Sequence, residues 1–190
     1  MTVNPNRYPL ITSMSEAMWG STKVRYVFEP DPPVPELIGN VRCACFSGER
    51  VVLIESEEFG LSAFPGGMLE PGEDWMDALV RELLEEAGGR PLSVDVAGRI
   101  HCWSGASQPY RRHLAHPEDH QMVVFAEVVL VARPTNPPHG EHVKNVEVLP
   151  IGWRSTVCAS RTRGRESFFA SSPTCAGWER TDRIEPFTWI

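Results

Sequence analysis

Residues 65–91 read PGGMLEPGEDWMDALVRELLEEAGGRP, and this stretch decides the architecture. Asp74 stands where a helix N-cap belongs. After it Leu79, Val80, Leu83, Leu84 and Ala87 return at spacings of three and four, which predicts a helix from about Trp75 to Ala87 with an apolar face for a sheet. Gly88-Gly89 ends it and Pro91 follows, as helix C-termini prefer. On the other face Glu82, Glu85 and Glu86 lie at i, i+3 and i+4, so three carboxylates leave one turn close together. Like charges at that spacing repel by about 0.2–0.5 kcal/mol per pair on an open surface, and more strongly when partly buried. Taken alone, three glutamates are most simply a solvated acidic face; the alternative is a seat for a hard divalent cation, Mg²⁺ or Mn²⁺, which carboxylate clusters suit. In front of the helix, Pro65-Gly66-Gly67 and Pro71-Gly72 shape a loop that returns to the helix start. That return lets Glu73 reach the fork-shaped guanidinium of Arg81, and glycine at 66 lets a backbone carbonyl approach a cation closely.

Working outward, Val24 to Phe28 is a short β-rich run and Glu29 to Pro35 is too proline-rich for anything but a connector. Leu37 to Cys45 and Val51 to Ile54 read as a hairpin around Ser47-Gly48-Glu49. Leu92 to Trp103 and Met122 to Val131 read as strands, the second interrupted by Glu127, and Val146 to Trp153 as a further short one. Between them Ser104 to Gln121 is a loop with chemical content, and Arg133 to His142 another. Strands around a single well-capped helix predict an α+β domain with a mixed sheet. Residues 1–36 are read as an N-terminal extension with a short strand, 37–155 as the domain, and 156–190 as a C-terminal extension packed on it.

Composition narrows the functional classes. The 190 residues are 42% hydrophobic, enough for one cored domain, and no run approaches the roughly 18 apolar residues of a membrane helix. Pro5, Pro9 and Glu16 occupy the start of the chain, where a secretory leader needs an apolar stretch. A net charge of −7 argues against broad, charge-driven nucleic-acid binding, and five cysteines argue for a reducing compartment over a disulfide framework. The expectation is a soluble, cytoplasmic protein acting on a small molecule.

From Gly67 the sequence runs Gly67, five residues, Glu73, seven residues, Arg81-Glu82-Leu83, one residue, Glu85-Glu86, one residue, Gly88. This resembles the Nudix box, G-x5-E-x7-R-E-U-x-E-E-x-G-U with U aliphatic. It departs only at its last position, where Gly89 stands and packing behind the helix is expected to weaken. The resemblance implies a Nudix-type α/β/α sandwich with a mixed β-sheet and a central catalytic helix. It implies metal ligation by Glu82, Glu85, Glu86 and the carbonyl of Gly66, with Glu73 and Arg81 joining loop to helix. The implied activity is metal-assisted hydrolysis of a phosphoanhydride in a nucleoside diphosphate linked to another moiety: ADP-ribose, a dinucleotide or a modified nucleoside triphosphate. The general base is Glu82 or a later acid, Glu118, Asp119, Glu127 or Glu141. Glu127 is the most suggestive of these because a carboxylate in an apolar strand is costly to bury.

Outside the box, Ser107-Gln108-Pro109-Tyr110 faintly resembles an element of the NADH-cleaving branch of the same family. There Tyr110 offers a ring to stack on a base, and Arg111 and Arg112 offer forks to a phosphate. His113, His116 and His120 are spaced too irregularly for a zinc site, and Cys43 and Cys45 alternate as core residues do. Arg161, Arg163 and Arg165 are read as surface, and the proline-rich start and the aromatic tail from Trp178 to Trp189 would suit a homodimer interface. Two rivals stand beside the hydrolase: a Nudix-like ligand-binding or regulatory module without turnover, and an isoprenoid diphosphate isomerase of the same superfamily.

Overall fold

The structure is a computed structural model that describes residues 14–19, 21–56, 60–62, 64–136 and 142–151. Among these residues eight strands form one mixed sheet: β1 (Ser15–Trp19), β2 (Thr22–Glu29), β3 (Ile38–Phe46), β4 (Arg50–Ser56), β5 (Gly60–Ser62), β6 (Gly89–Ser104), β7 (Glu118–Leu130) and β8 (Val143–Pro150). Their order is β1-β2-β6-β7-β3-β4-β5, with β8 also paired to β4. All pairings are antiparallel except β3 with β7, which is parallel. A helix, α1 (Trp75–Glu82), continues as a π-helical turn over Leu83–Ala87, and a 3-10 turn spans Pro35–Leu37.

The α+β class and the mixed sheet are as expected, and the reason is visible in the core. Leu79, Leu83 and Ala87 of the helix are buried against Val41, Cys43 and Cys45 of β3, Val52 and Ile54 of β4, and Met122, Val124, Ala126 and Val128 of β7. Burying each such side chain is worth about 1.5–3 kcal/mol, so this face holds the fold together. The opposite face carries a smaller cluster of Phe28, Ala97 and Val123 with Ile100 and Phe125 beside it.

Asp74 caps α1 as expected, its Oδ1 accepting from the N–H of Met76 and Asp77 at 2.8 and 2.9 Å. Two details of the helix differ. Val80 is 40% exposed, so it lies off the apolar face. From Leu83 the helix loosens to a π turn, and the extra residue in that turn shifts the angular phase of the residues after it. Glu86 within it is buried, as is Glu82 just before it, while Glu85 stays half-buried. Gly88 then ends the helix in the left-handed region at φ 64°, where a Cβ would overlap the carbonyl of Ala132.

Other boundaries moved as well, β8 among them, which runs Val143–Pro150 where a strand from Val146 was expected. β1 lies in a stretch without periodicity, because an edge strand needs no apolar alternation: Met14 and Met18 are 51% and 56% exposed. β2 pairs with β6 from Val24 to Glu29, so the stretch before residue 37 supplies two strands of the same sheet. β7 starts at Glu118, inside the expected loop, because His120 and Gln121 are buried polar residues that no apolar pattern announces. Gly89 is itself the first residue of β6, paired with Leu130, and a Cβ there would meet ordinary van der Waals contact at 3.4 Å. The extension beyond residue 155, with Arg161, Arg163, Arg165 and the segment from Trp178 to Trp189, lies outside the described residues.

Candidate active site

The site exists because β3 and β4 part. Only Cys45 with Val52 and Phe46 with Val51 pair between them. Below that the loop before α1 takes the place of β4 along β3: Val41 N–H donates to Gly67 O at 3.0 Å, Cys43 N–H to Pro65 O at 2.9 Å, and Leu69 N–H to Gly39 O at 3.1 Å. Gly66 has φ 151°, and a Cβ there would overlap the carbonyl of Val41, so only glycine allows this approach.

Arg81 is the hub between loop and helix. Its Nε and Nη2 donate to Oε1 and Oε2 of Glu73 at 2.8 and 2.9 Å, the expected bidentate pair. Nη2 also donates to the carbonyl of Met68 at 3.0 Å, and Nη1 to Glu82 Oε1 at 2.7 Å and Glu85 Oε2 at 3.4 Å. The hydrogen bonds from Arg81 hold the Glu73 carboxyl below the usual range, and Glu73 in turn raises Arg81 further above its own. Glu82 is pushed the other way: burial raises its pKa against the partial offset from Arg81. Its Oε1 lies where a Cβ on Gly67 would be, so glycine at 67 makes room for the carboxylate. Glu86 Oε2 accepts from the N–H of Gly66 at 2.8 Å. The structure therefore brings Gly66, Glu73, Arg81, Glu82, Glu85 and Glu86 together, with Gly66 touching the cluster through its N–H.

The donor chemistry fits a hard divalent cation. Glu73, Glu82 and Glu85 contact the guanidinium of Arg81 and Glu86 sits on the N–H of Gly66, every candidate ligand atom is oxygen, and Glu82 and Glu86 are only 8% and 6% exposed. In the conformation described, Glu82 and Glu85 both turn toward Arg81 Nη1, and no three His, Cys, Asp or Glu groups among the described residues converge at metal-binding distance.

The later acids are scattered. Glu127 Oε1 accepts from the N–H of Gly48 at 2.7 Å, which fastens the β3–β4 turn. By strand alternation Glu127 shares the face of Val123 and Phe125, opposite α1, and the structure does not bring it to the box carboxylates. Glu118 is exposed beside His101, at 3.4 Å from its Nε2. Asp119 is half-buried near Gly39 and Leu114, and burial raises its pKa. Glu141 lies outside the described residues.

The segment 105–117 is fastened to the loop before α1 by His113 Nε2 on the carbonyl of Leu69 at 2.8 Å. Tyr110 on it is 81% exposed, and Arg111 and Arg112 are exposed. His120 is 1% exposed, with Nδ1 accepting from the N–H of Val34 at 3.0 Å. Cys43 and Cys45 are core, with Sγ atoms 3.4 Å apart; the hydrogen bond that the Cys45 thiol donates to Cys43, then burial, raises the Cys45 pKa. Arg42, absent from the candidates that the sequence suggests, is half-buried on β3 between the two residues that bind the loop; a charge amid Val41, Cys43 and Cys45 was the available signal.

A curled mixed sheet carrying one loop-and-carboxylate helix defines the Nudix class of fold. The NUDIX domain profile matches residues 37–154, and the chain belongs to that family as an enzyme of the Nudix hydrolase type. Among solved structures, the Bacillus subtilis pyrophosphohydrolase is 22% identical with a TM-score of 0.55, covering 77% of this chain and 83% of that one. A NUDIX hydrolase from Nitrosomonas europaea is also 22% identical, with a TM-score of 0.42 over 60% of this chain and 74% of that one. A search of curated proteins returns no match.

Proposed function

We propose that this chain is a Mg²⁺- or Mn²⁺-dependent pyrophosphohydrolase. It cleaves the phosphoanhydride of a nucleoside diphosphate linked to another moiety, the candidates being ADP-ribose, a dinucleotide and a modified nucleoside triphosphate. The observation that carries this reading is the pair of buried glutamates, Glu82 at the end of α1 and Glu86 on the π turn that follows, set against Gly67 and Gly66 beside the Arg81 hub. The carboxylate oxygens of Glu82, Glu85 and Glu86 are the hard donors that a divalent cation takes.

Glu82, Glu85 and Glu86 are the residues that would hold the cation, with Gly66 supporting Glu86. When bound, a divalent ion screens the diphosphate and acidifies a bound water. Arg81, pinned by Glu73 and Met68, fixes the carboxylates relative to the loop. Glu82 is the general base: burial raises its proton affinity while Arg81 keeps it oriented. Tyr110, Arg111 and Arg112 lie on the segment that His113 holds to the loop, where a ring and two guanidinium groups suit a base and a phosphate. Cys43, Cys45 and Cys102 are free and buried, which suits a reducing, cytoplasmic setting.

The test is release of phosphate and nucleotide from a panel of nucleoside diphosphate derivatives with Mg²⁺ or Mn²⁺, comparing the native chain with Glu85→Gln. One substrate turned over by the native chain, with loss of about 10²-fold or more in the variant, is the expected outcome. Equal turnover by both would remove the cation seat from this helix; binding without turnover would turn the reading into a ligand-binding module.

A further inference from the structure

The connector between β2 and β3 is fastened at two points of different chemistry. At Pro32 the carbonyl accepts from Arg99 Nη1 at 2.6 Å, a guanidinium donor that does not titrate in proteins. At Val34 the N–H donates to His120 Nδ1 at 3.0 Å. An imidazole accepts only at an unprotonated nitrogen, so the neutral ring carries its proton on Nε2. That Nε2 is buried without a hydrogen-bond partner, and His120 is 1% exposed. A second proton would make Nδ1 a donor facing the donor of Val34, in a place that water does not reach.

The nearby carboxylates face His101 rather than His120. His101 of β6 meets the His120 ring edge to face, with centroids 4.6 Å apart, and stacks on Trp103 at 3.8 Å. Its Nε2 lies 3.4 Å from Glu118 of β7 and its Nδ1 3.7 Å from Glu29 of β2. No ion pair joins either carboxylate to His120 among the described residues. The other groups around His120 are Arg99 on β6 and Asp119 beside it on β7, with His116 acting on the Asp119 carboxyl. Its register partner on β3, Ile38, is apolar, and Asp31 and Glu36 on the connector are exposed. Burial, then the charges of His101 and Arg99, lowers the His120 pKa against the pull of Glu29 and Glu118.

The connector runs straight into the part of β3 that backs the candidate site. Ile38 pairs with His120 itself, Gly39 O accepts from the N–H of Leu69 at 3.1 Å, and the N–H of Val41 donates to Gly67 O at 3.0 Å. Next to Gly67, the N–H of Gly66 holds Glu86 at 2.8 Å. We propose that the Val34–His120 hydrogen bond is an acid-released clasp: protonation of His120 frees the 33–37 end of the connector from β7 and loosens the start of β3, on which the loop before α1 rests. The clasp stands apart from the hydrolase reading, and only its effect on turnover rests on that reading. Because the released ring takes up a proton more readily than the clasped one, each pH unit below about 6.5 favours release by up to about tenfold.

The experiment is residue-resolved amide exchange on the full chain at pH 7.5 and 5.5, expressed as protection over the intrinsic rate at each pH, for the native protein, His120→Asn and Val34→Pro. His120→Asn keeps an acceptor close to the place of Nδ1 and does not titrate. Val34 has φ −75° and ψ 122° and stands between Pro33 and Pro35, so proline suits its backbone and removes the donor. On acidification the native chain should lose about five- to tenfold of its protection at Val34 and about threefold at Val41 and Leu69. In His120→Asn these losses should shrink to less than about twofold, and Val34→Pro should show the low protection at Val41 and Leu69 already at pH 7.5. Native protection at Val34 that changes by less than about twofold with pH overturns the clasp, and so does an equal loss in His120→Asn. Loss at Val34 alone, with Val41 and Leu69 unchanged, overturns the loosening of β3. Should His120→Asn unfold early, Val34→Pro decides: native protection at Val41 and Leu69 at pH 7.5 overturns the proposal, and low protection there supports it. On a hydrolysed substrate, kcat/KM at pH 5.5 relative to pH 7.5 should be about threefold higher in His120→Asn than in the native chain. Equal ratios overturn the effect on turnover alone, and a native chain that hydrolyses no panel member removes the hydrolase reading while the exchange result still decides the clasp.

Discussion

Glu82 and Glu73 are chemically identical side chains that the fold treats in opposite ways. Glu73 is a depressed carboxyl, so its contribution to stability is present above the unfolded value near 4.5 and is lost as pH falls through its folded value. Glu82 is a raised carboxyl, so its contribution is present below that value and is lost as pH rises through its folded one. At neutral pH the buried Glu82 charge therefore opposes folding. Glu82→Gln should raise the stability of the chelator-treated chain by about 0.5–1 kcal/mol in urea titration while lowering turnover by about 10²-fold or more. A variant that is both less stable and fully active would contradict the role given to this carboxylate. The residue types and spacing of Glu73, Arg81, Glu82, Glu85 and Glu86 were legible in the sequence, because i, i+3 and i+4 positions share a helix face whatever surrounds them. Their unequal burial was not, since it depends on the loop lying over the helix and on the glycine at 67 that makes room for one oxygen.

At the scale of elements, the segment 105–117 and the loop before α1 behave as one unit through His113. The acceptor, Leu69 O, can only accept, so His113 Nε2 is the donor. His113→Ala should cost about 1 kcal/mol and speed amide hydrogen exchange in both loops, residues 65–73 and 105–117, with His113→Gln restoring protection. Faster exchange confined to one loop would break the coupling. The helix, its cap and its stop were readable because they rest on local signals, Asp74 and Gly88. The π turn, the exposed Val80 and the early start of β7 escaped because each arises from packing against a neighbour rather than from periodicity.

For the whole molecule, the proline-rich connector after β2 is strapped across the sheet rather than hanging from it. Arg99 Nη1 donates to Pro32 O at 2.6 Å and is ion-paired to Glu29, while the N–H of Val34 donates to His120 Nδ1. That last bond requires an unprotonated nitrogen. Burial, with the charges of His101 and Arg99, lowers the His120 pKa against the opposing pull of Glu29 and Glu118. A base with a lowered folded pKa stabilises above its unfolded value near 6.5, and the stability is lost as pH falls below it. The thermal midpoint should therefore drop between pH 7.5 and 5.5, and His120→Gln should flatten that slope; an unchanged slope in the variant would assign it to other groups.

The sequence by itself determined the elements whose signals are local: the capped helix, its carboxylate face, the Glu73–Arg81 pair, the strand runs and the family. Tertiary structure alone decided where those elements act. It parted β3 from β4 so that the loop could dock on β3, buried Glu82 and Glu86 unequally with Glu85, and put Glu127 on the far face at the hairpin turn. It also drew the N-terminal strands into the sheet and left Arg42 half-buried with no partner among the described residues. Helical spacing and capping are set within a few residues, whereas burial and pairing depend on contacts between residues tens of positions apart, which no local pattern encodes.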